Sequence, residues 1–181
     1  MSEYIRNQIL GIADNFKALA AMAGEIEQVA RVCADTLKAG NKIMFCGNGG
    51  SAADSQHLAA ELVGRYKLNR PAMNALALTV DTSILTAVGN DYGYETVFSR
   101  QLQGLGRSGD LLVGLSTSGN SQNIVLAMEL ARRMGVRTGP DGPGRRGDEN
   151  RGGFLHCRSF RCHEQYPGDA HCRGPSGLRA G

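Results

Sequence analysis

The sequence predicts an α/β protein with a doubly wound parallel sheet, helices on both of its faces, and two further helices in front. Three observations support this prediction. Short apolar runs alternate with longer segments of helical periodicity, Gly- and Ser-rich loops follow two of those runs, and the two leading segments are amphipathic. A length of 181 residues with 41% hydrophobic residues fits one folded domain.

The first two elements are amphipathic helices. Apolar side chains recur at steps of three and four in both segments, at Ile5, Ile9, Ile12, Phe16 and Leu19 and then at Ile26, Val29, Cys33 and Leu37. Gly40 follows the second segment and predicts its end.

Strands and helices then alternate. The predicted strands are 42–46, 74–79 and 110–115, with a fourth beginning at 136–138, and the predicted helices are 51–66, 82–88, 94–105 and 122–134. Ser51 is the predicted cap of the first of these helices, with Asp54 three residues on, and Gly135 ends the last. Residues 89–93 predict a turn between the second and third. In such sheets ligands bind beyond the carboxyl ends of the strands.

The composition excludes several classes of protein. A net charge of +3 is too small to indicate a nucleic-acid partner. The sequence contains no run of 18 apolar residues, so it predicts no membrane span. The first residues lack a basic region followed by an apolar core, so we expect no secretory signal.

Residues 116–121, here the Ser loop, follow a predicted strand and open a predicted helix. Free backbone N–H groups and the positive end of the helix dipole favour an anion there, and Ser116, Thr117, Ser118 and Ser121 add hydroxyl groups. The loop lacks the Lys of a P-loop, so a sugar phosphate suits it better than a nucleoside triphosphate. The alternative is an ordinary Ser/Thr-rich capped turn.

Residues 47–51, here the Gly loop, follow the first strand with Gly47, Asn48, Gly49, Gly50 and Ser51. The loop does not match the G-x-G-x-x-G fingerprint. The amide of Asn48 offers a donor and an acceptor to a hydroxyl or carbonyl group. On its own this loop is equally consistent with a simple strand-to-helix turn.

His57 and Glu61 lie four residues apart on the next helix and therefore share one face. Imidazole and carboxylate are zinc ligands, and a carboxylate is a general base. A solvated helical pair is the alternative, and two ligands do not complete a zinc site. Arg65, four residues further on, either pairs with Glu61 or reaches a phosphate.

Asn90 and Asp91 lie in the predicted turn and form a compact hydroxyl-binding pair if they face the crevice.

Together these motifs resemble the sugar isomerase (SIS) domain family, and within it the phosphoheptose isomerases. The resemblance covers residues 1–138 almost continuously and rests on CGNGGS at 46–51, QHLAAEL at 56–62, GRY at 64–66, NRP at 69–71, VGNDYG at 88–93 and LSTSGNS at 115–121. Several long motifs in the same order make it specific.

The resemblance implies a cytoplasmic homotetramer of bacterial heptose and lipopolysaccharide synthesis with a flavodoxin-like sheet. It implies that sedoheptulose 7-phosphate is converted to D-glycero-D-manno-heptose 7-phosphate through an enediolate, with Glu61 as catalytic base and His57 and Glu61 as ligands of a zinc ion. The implied phosphate contacts are Ser116, Thr117, Ser118 and Ser121, and the implied contacts to the rest of the substrate are Asn48, Gly49, Gly50, Ser51, Glu61, Arg65, Asn90 and Asp91.

Residues 139–181 do not continue this pattern. The segment contains 10 of the 25 Gly, 4 of the 5 Pro and 7 Arg but no Ile, Val or Met. Such a composition buries too little apolar surface to offset the entropy of ordering the chain. We therefore expect an incomplete SIS domain at 1–138 and an atypical tail.

The tail is also consistent with an altered reading frame. The family completes its site with a Gln and, eight residues later, a His that is the second acid/base group and a zinc ligand. The codons of residues 166–176, read one nucleotide later, permit a Gln at position 167 and a His at position 175. This hypothesis predicts impaired activity.

In the competing interpretation, the tail binds zinc itself. Its candidate ligands are Cys157, Cys162, Cys172, His156, His163 and His171, and their spacing fits no strong zinc signature.

A second class of function stays open from the sequence, namely a non-enzymatic SIS protein that binds a sugar phosphate or a replication-initiator protein. A protein that only binds needs no carboxylate one turn after His57. Glu61 therefore favours the enzyme.

Overall fold

A computed structural model describes residues 1–139 and the strand at 154–156. Its helices are Ser2–Ala21 (α1), Ala23–Lys38 (α2), Gly50–Val63 (α3), Thr82–Tyr92 (α4), Val97–Leu105 (α5) and Gln122–Arg133 (α6), and its strands are Ile43–Gly47 (β1), Ala75–Ala77 (β2), Leu111–Ser116 (β3) and Phe154–His156 (β4). A 3-10 turn, Tyr94–Thr96, joins α4 to α5. The predicted alternation of strands and helices is confirmed, as are both leading helices.

The sheet of the described residues is parallel and has the order β2-β1-β3-β4. β1 pairs with β3 over its whole length, from Ile43 opposite Leu111 to Gly47 opposite Leu115. The fourth strand expected at 136–138 is reduced to one bridge between Arg137 and Leu111, and β4 pairs further along β3.

Two apolar clusters cover opposite faces of this sheet, because successive side chains of a strand point to opposite sides. Ile43 and Phe45 of β1 pack on one face with α2 and α3. Met44 and Cys46 pack on the other face with α5 and α6, whose Phe98, Leu102, Ile124 and Met128 are fully buried. The doubly wound arrangement predicted from the sequence is therefore confirmed.

Asp110 lies one residue before β3, at the amino-terminal ends of the strands, and its side chain binds Lys42 just before β1. Its carboxylate accepts hydrogen bonds from the Lys42 backbone at 3.0 Å, the Lys42 ammonium at 2.5 Å and the Arg107 backbone at 2.8 Å. The Asp110 side chain is 2% exposed. Burial alone would raise the pKa of Asp110, but the hydrogen bonds from Lys42 and Arg107 outweigh burial and hold that pKa below its ordinary value.

None of the 20 residues of α1 is buried by the part of the chain that the structure describes. Ile5, Ile9 and Phe16 are at least half exposed. No helix of the described residues is both long and apolar enough to cross a membrane.

Three predicted boundaries are wrong. α4 continues through Tyr92, so Asn90 and Asp91 lie on its last turn rather than in a loop. The Asp81 carboxylate caps α4 by accepting from Ile84 N at 2.9 Å, and a single Gly inside a helix costs only about 1 kcal/mol. The helix ends instead at Gly93, whose φ is 89°.

The other two errors concern α3. Its N-cap is Gly49 rather than Ser51, and Ser51 lies in the first turn with its N–H donating to Asn48 O. The helix ends at Val63, so Arg65 does not extend the face of His57 and Glu61. The Arg70 guanidinium explains this end, because it binds the carbonyl oxygens of the last turn that a longer helix would use.

The tail predictions lie almost wholly outside the described residues. These are the boundary of the tail at 139–181, the altered frame at 166–176 and the zinc interpretation of Cys157, Cys162, Cys172, His163 and His171. For His156 the structure gives only its place in β4.

Candidate active site

The Gly loop and the Ser loop lie side by side at the carboxyl edge of the sheet, because the strands that precede them, β1 and β3, are paired neighbours. α3 begins at the Gly loop and α6 at the Ser loop. Both helices therefore direct the positive ends of their dipoles to this edge.

The Ser loop draws its hydroxyl groups together. Ser116 Oγ lies 3.2 Å from Ser121 Oγ and 3.5 Å from Ser118 Oγ, and it accepts from Gly119 N at 3.0 Å. Gly119 has a φ of 70°, which allows this tight turn. Thr117 and Ser118 are exposed, while Ser121 is the N-cap of α6. Hydroxyl groups, backbone N–H groups and a helix N-terminus thus converge, which suits an anion with several oxygens.

The Gly loop brings the chain close to itself. A Cβ on Gly47 would lie 2.5 Å from the carbonyl oxygen of Ser51, so this position accepts only glycine. Gly49 and Gly50 are exposed at the start of α3. Burial raises the pKa of the neighbouring Cys46 thiol to about 12, so Cys46 stays protonated and is not a nucleophile of this site.

Asn48 connects the two loops. Its Nδ2 donates to Asn123 Oδ1 at 2.9 Å, and its Oδ1 accepts from Asn123 Nδ2 at 2.8 Å. The Tyr94 hydroxyl donates to the same Asn48 Oδ1 at 3.3 Å. The side chain that follows β1 is therefore fixed to the first turn of α6 and to the 3-10 turn after α4.

His57 and Glu61 share one face of α3, as their spacing predicts. His57 Nε2 lies 3.7 Å from Glu61 Oε1. Glu61 Oε2 is buried and has no hydrogen-bond partner in the part of the chain that the structure describes. A carboxylate oxygen in this state is costly in free energy, which indicates a site that a ligand completes.

The remaining candidates are less closely connected. Asn90 Nδ2 donates to Asp91 Oδ1 at 2.7 Å, and both residues are exposed at the end of α4, a few residues before Tyr94. Arg65 is exposed beyond the end of α3, and the basic side chain that the described residues place beside the Glu61 carboxylate is His57 rather than Arg65.

Sequence reasoning missed Asn123, Tyr94 and Arg70. Arg70 donates to Glu61 O at 2.9 Å and to Leu62 O at 2.8 Å, and thereby holds the turn of α3 that carries Glu61. A polar residue on the buried side of a helix that opens at a ligand loop is a signal that points to Asn123. The contacts of Tyr94 and Arg70 depend on tertiary structure.

Comparison with known proteins identifies the class. The model of the SIS domain family matches residues 7–138, and the chain belongs to this family. The resemblance inferred from the sequence motifs is thereby confirmed.

The similar relatives are phosphoheptose isomerases. The one from Akkermansia muciniphila is 94% identical over 138 residues, which cover 76% of this chain and 73% of the relative. The one from Aliarcobacter butzleri is 55% identical over 122 residues, covering 67% of this chain and 65% of the relative. The chain thus spans about two thirds to three quarters of the length of these two relatives.

Two solved structures with a similar fold are also phosphoheptose isomerases. A phosphoheptose isomerase from Neisseria gonorrhoeae superposes with a TM-score of 0.65 at 43% identity, covering 75% of this chain and 68% of that one. One from Francisella tularensis gives a TM-score of 0.67 at 34% identity, covering 75% and 69%. These matches confirm the predicted fold class.

Proposed function

We propose that the SIS domain of this chain is that of a sugar-phosphate aldose–ketose isomerase, which converts sedoheptulose 7-phosphate to D-glycero-D-manno-heptose 7-phosphate, and that turnover by the 181-residue chain is impaired. The observation that carries the proposal is the buried, unpartnered Oε2 of Glu61 beside His57, on the helix that begins at the Gly loop. The phosphoheptose isomerase relatives support the reaction and its substrate.

The Ser loop would bind the phosphate group. Ser116, Thr117, Ser118 and Ser121 supply the hydroxyl groups, and the N-terminus of α6 supplies backbone N–H groups and dipole. Phosphate binding there would fix one end of the substrate and so hold its other end near α3.

The Gly loop and α4 would bind the sugar. Asn48, Gly49, Gly50 and Ser51 line the carboxyl end of β1, and their small side chains and backbone groups suit a chain of hydroxyl groups. Asn90 and Asp91 would add contacts from the end of α4, and Arg65 from beyond α3. The proposal assigns these positions by their match to the family motifs.

Glu61 would transfer the proton between carbons. Its carboxylate takes the proton from C1 of the ketose, and return of a proton to C2 through the enediolate gives the aldose. Developing negative charge on the substrate oxygens has to be stabilised while the proton moves. The second acid/base group implied by the family, a His on a C-terminal helix, has no counterpart in residues 1–139.

Zinc suits the donors that are present. His57 and Glu61 are of the types zinc prefers, and the orphaned Glu61 Oε2 is the buried atom that a cation would satisfy. They would be two ligands of an incomplete set, because no group of three or more His, Cys, Asp or Glu side chains able to hold a metal occurs in the described ranges. When bound, zinc would polarise substrate oxygens as a Lewis acid.

The apolar face of α1 supports a homo-oligomer. Ile5, Ile9 and Phe16 make a stripe that the described residues leave exposed, and packing against other subunits would bury it. We propose the tetramer that the family implies, in the cytoplasm.

The experiment compares two chains. One is the 181-residue protein with its mass verified, and the other carries the single-base change near codon 138 that restores the family reading frame. Binding of sedoheptulose 7-phosphate is measured by calorimetry, and aldose formation is followed with zinc present.

We expect both chains to bind the substrate and only the restored chain to turn it over. Glu61→Gln in the restored chain is the control for the catalytic carboxylate and should lower turnover about 10²–10⁴-fold. Lack of substrate binding by both chains would overturn the isomerase proposal. Robust turnover by the 181-residue chain would instead show that its tail does not impair it.

A further inference from the structure

The pairing of Asn48 with Asn123 and Tyr94 has a chemical consequence for the substrate. A carboxamide has one oxygen with two acceptor positions and one nitrogen with two N–H donors. Both acceptor positions of Asn48 Oδ1 are used, one by Asn123 Nδ2 and one by the Tyr94 hydroxyl. One N–H of Asn48 is used on Asn123 Oδ1. What remains for a ligand is a single N–H donor.

We propose that Asn123 and Tyr94 are positioning residues that fix Asn48 as a hydrogen-bond donor to the sugar. The fixed amide selects a substrate that presents an acceptor oxygen, such as a hydroxyl group of the sugar chain, at the Gly loop. This inference rests on the proposed function and adds to it two residues and the direction of one hydrogen bond.

The two contacts to Asn48 differ in strength. Asn123 is 4% exposed, so its amide is removed from water and losing the pair would leave buried polar groups unsatisfied. Tyr94 is 58% exposed, so water competes for its hydroxyl. Asn123 therefore sets the orientation of the Asn48 amide, and Tyr94 refines it.

The same pair couples the two ligand loops. Asn123 lies two residues after Ser121, the N-cap of α6, while Asn48 follows β1 directly. The Asn48–Asn123 pair thus sets the spacing between the sugar contact and the phosphate loop. Breaking it should weaken recognition of a sugar phosphate, which needs both loops, more than recognition of inorganic phosphate, which needs one.

The test measures two dissociation constants on the full 181-residue chain, one for sedoheptulose 7-phosphate and one for inorganic phosphate. Asn123→Ala should weaken sugar-phosphate binding about tenfold and phosphate binding less than twofold. Tyr94→Phe, which removes one exposed hydroxyl, should weaken sugar-phosphate binding about twofold to fivefold. In an Asn48→Ala background, Tyr94→Phe should have no further effect, because Tyr94 acts through Asn48.

Gln101→Ala is the matched control. Gln101 is a buried amide that donates to Leu78 O and Val97 O, both at 2.9 Å, away from the two loops. Its loss should lower the melting temperature and leave the ratio of the two dissociation constants unchanged.

Equal sugar-phosphate affinity in wild type, Asn123→Ala and Tyr94→Phe would overturn the positioning role and leave the proposed function intact. Equal losses for both ligands in Asn123→Ala would overturn it as well. If Asn123→Ala does not fold, unchanged affinity in Tyr94→Phe is enough to overturn it. A wild-type chain that binds neither ligand would refute the ligand site itself, and both proposals with it.

Discussion

Two carboxylates, Asp110 just before β3 and Glu61 on the last turn of α3, lie in opposite environments. At the amino edge, Asp110 is almost fully buried and accepts three hydrogen bonds from Lys42 and Arg107. Glu61, on the last turn of α3, has a buried oxygen without a partner in the described structure. One carboxylate is fully satisfied by the protein and the other is not.

This difference separates stability from function. Asp110 and Lys42 are 68 residues apart in sequence, and their contact holds the start of β3 beside the start of β1. The paired charge of Asp110 therefore stabilises the sheet that carries both loops. The described residues give the Glu61 carboxylate no comparable set of hydrogen bonds. Unsatisfied buried polar groups are rare in native proteins and are found where a ligand completes them.

The largest expected effect is that of Asp110→Asn. The amide cannot compensate the charge of Lys42, whose side chain is only 17% exposed. Loss of one partner of a buried ion pair costs about 3–5 kcal/mol, and urea unfolding measures it. Asp14→Asn is the control, because the Asp14–Lys17 pair is solvent-exposed and worth about 0–1 kcal/mol. Equal unfolding midpoints for both variants would contradict the stabilising role of Asp110.

Arg70→Ala tests what holds the turn of α3 that carries Glu61. It removes a charged donor from the carbonyl oxygens of Glu61 and Leu62, so we expect a loss of about 1.5–3 kcal/mol. We also expect amide exchange to increase in the last turn of α3. Arg65→Ala, at an exposed position, should change the stability by less than about 0.5 kcal/mol. Unaltered exchange near Glu61 would show that Arg70 does not hold this turn.

Glu61→Gln is the counterpart of Asp110→Asn for the second carboxylate, and its effect on the free energy of unfolding should have the opposite sign. A neutral amide is easier to remove from water than a carboxylate with an orphaned oxygen, so we expect a gain of about 0–1 kcal/mol. The substitution should also abolish any increase in melting temperature that added zinc gives the wild-type chain. A loss of stability comparable to that of Asp110→Asn would remove the distinction between the two carboxylates.

Local sequence patterns predicted much of this fold and part of the site. The apolar run at 42–46 predicted β1, and the spacing of His57 and Glu61 predicted their shared face, because both patterns repeat over a few residues. The end of α3 was mispredicted because Arg70, beyond a loop, binds its last carbonyl groups.

The contacts that tie the site together have no local signature. Asn48 and Asn123 are 75 residues apart, and only the pairing of β1 with β3 brings their loops together. The turn expected at Asn90 and Asp91 was wrong because the Asp81 cap and the helix it starts outweigh one internal Gly. Sequence therefore indicates which residues form the site more readily than how they orient one another.

The smallest expected effect is the acid dependence of the Asp110 contribution. The pKa of Asp110 is lowered in the folded protein, so as pH falls the unfolded chain takes up this proton first. The contribution is complete above the ordinary Asp pKa of about 3.9 and is lost as pH falls through the lower pKa of the folded state. The difference in unfolding free energy between wild type and Asp110→Asn should be constant from about pH 5 upward and should narrow below about pH 4. A difference that stays constant down to pH 2 would show that Asp110 and Lys42 stabilise the sheet through packing rather than charge.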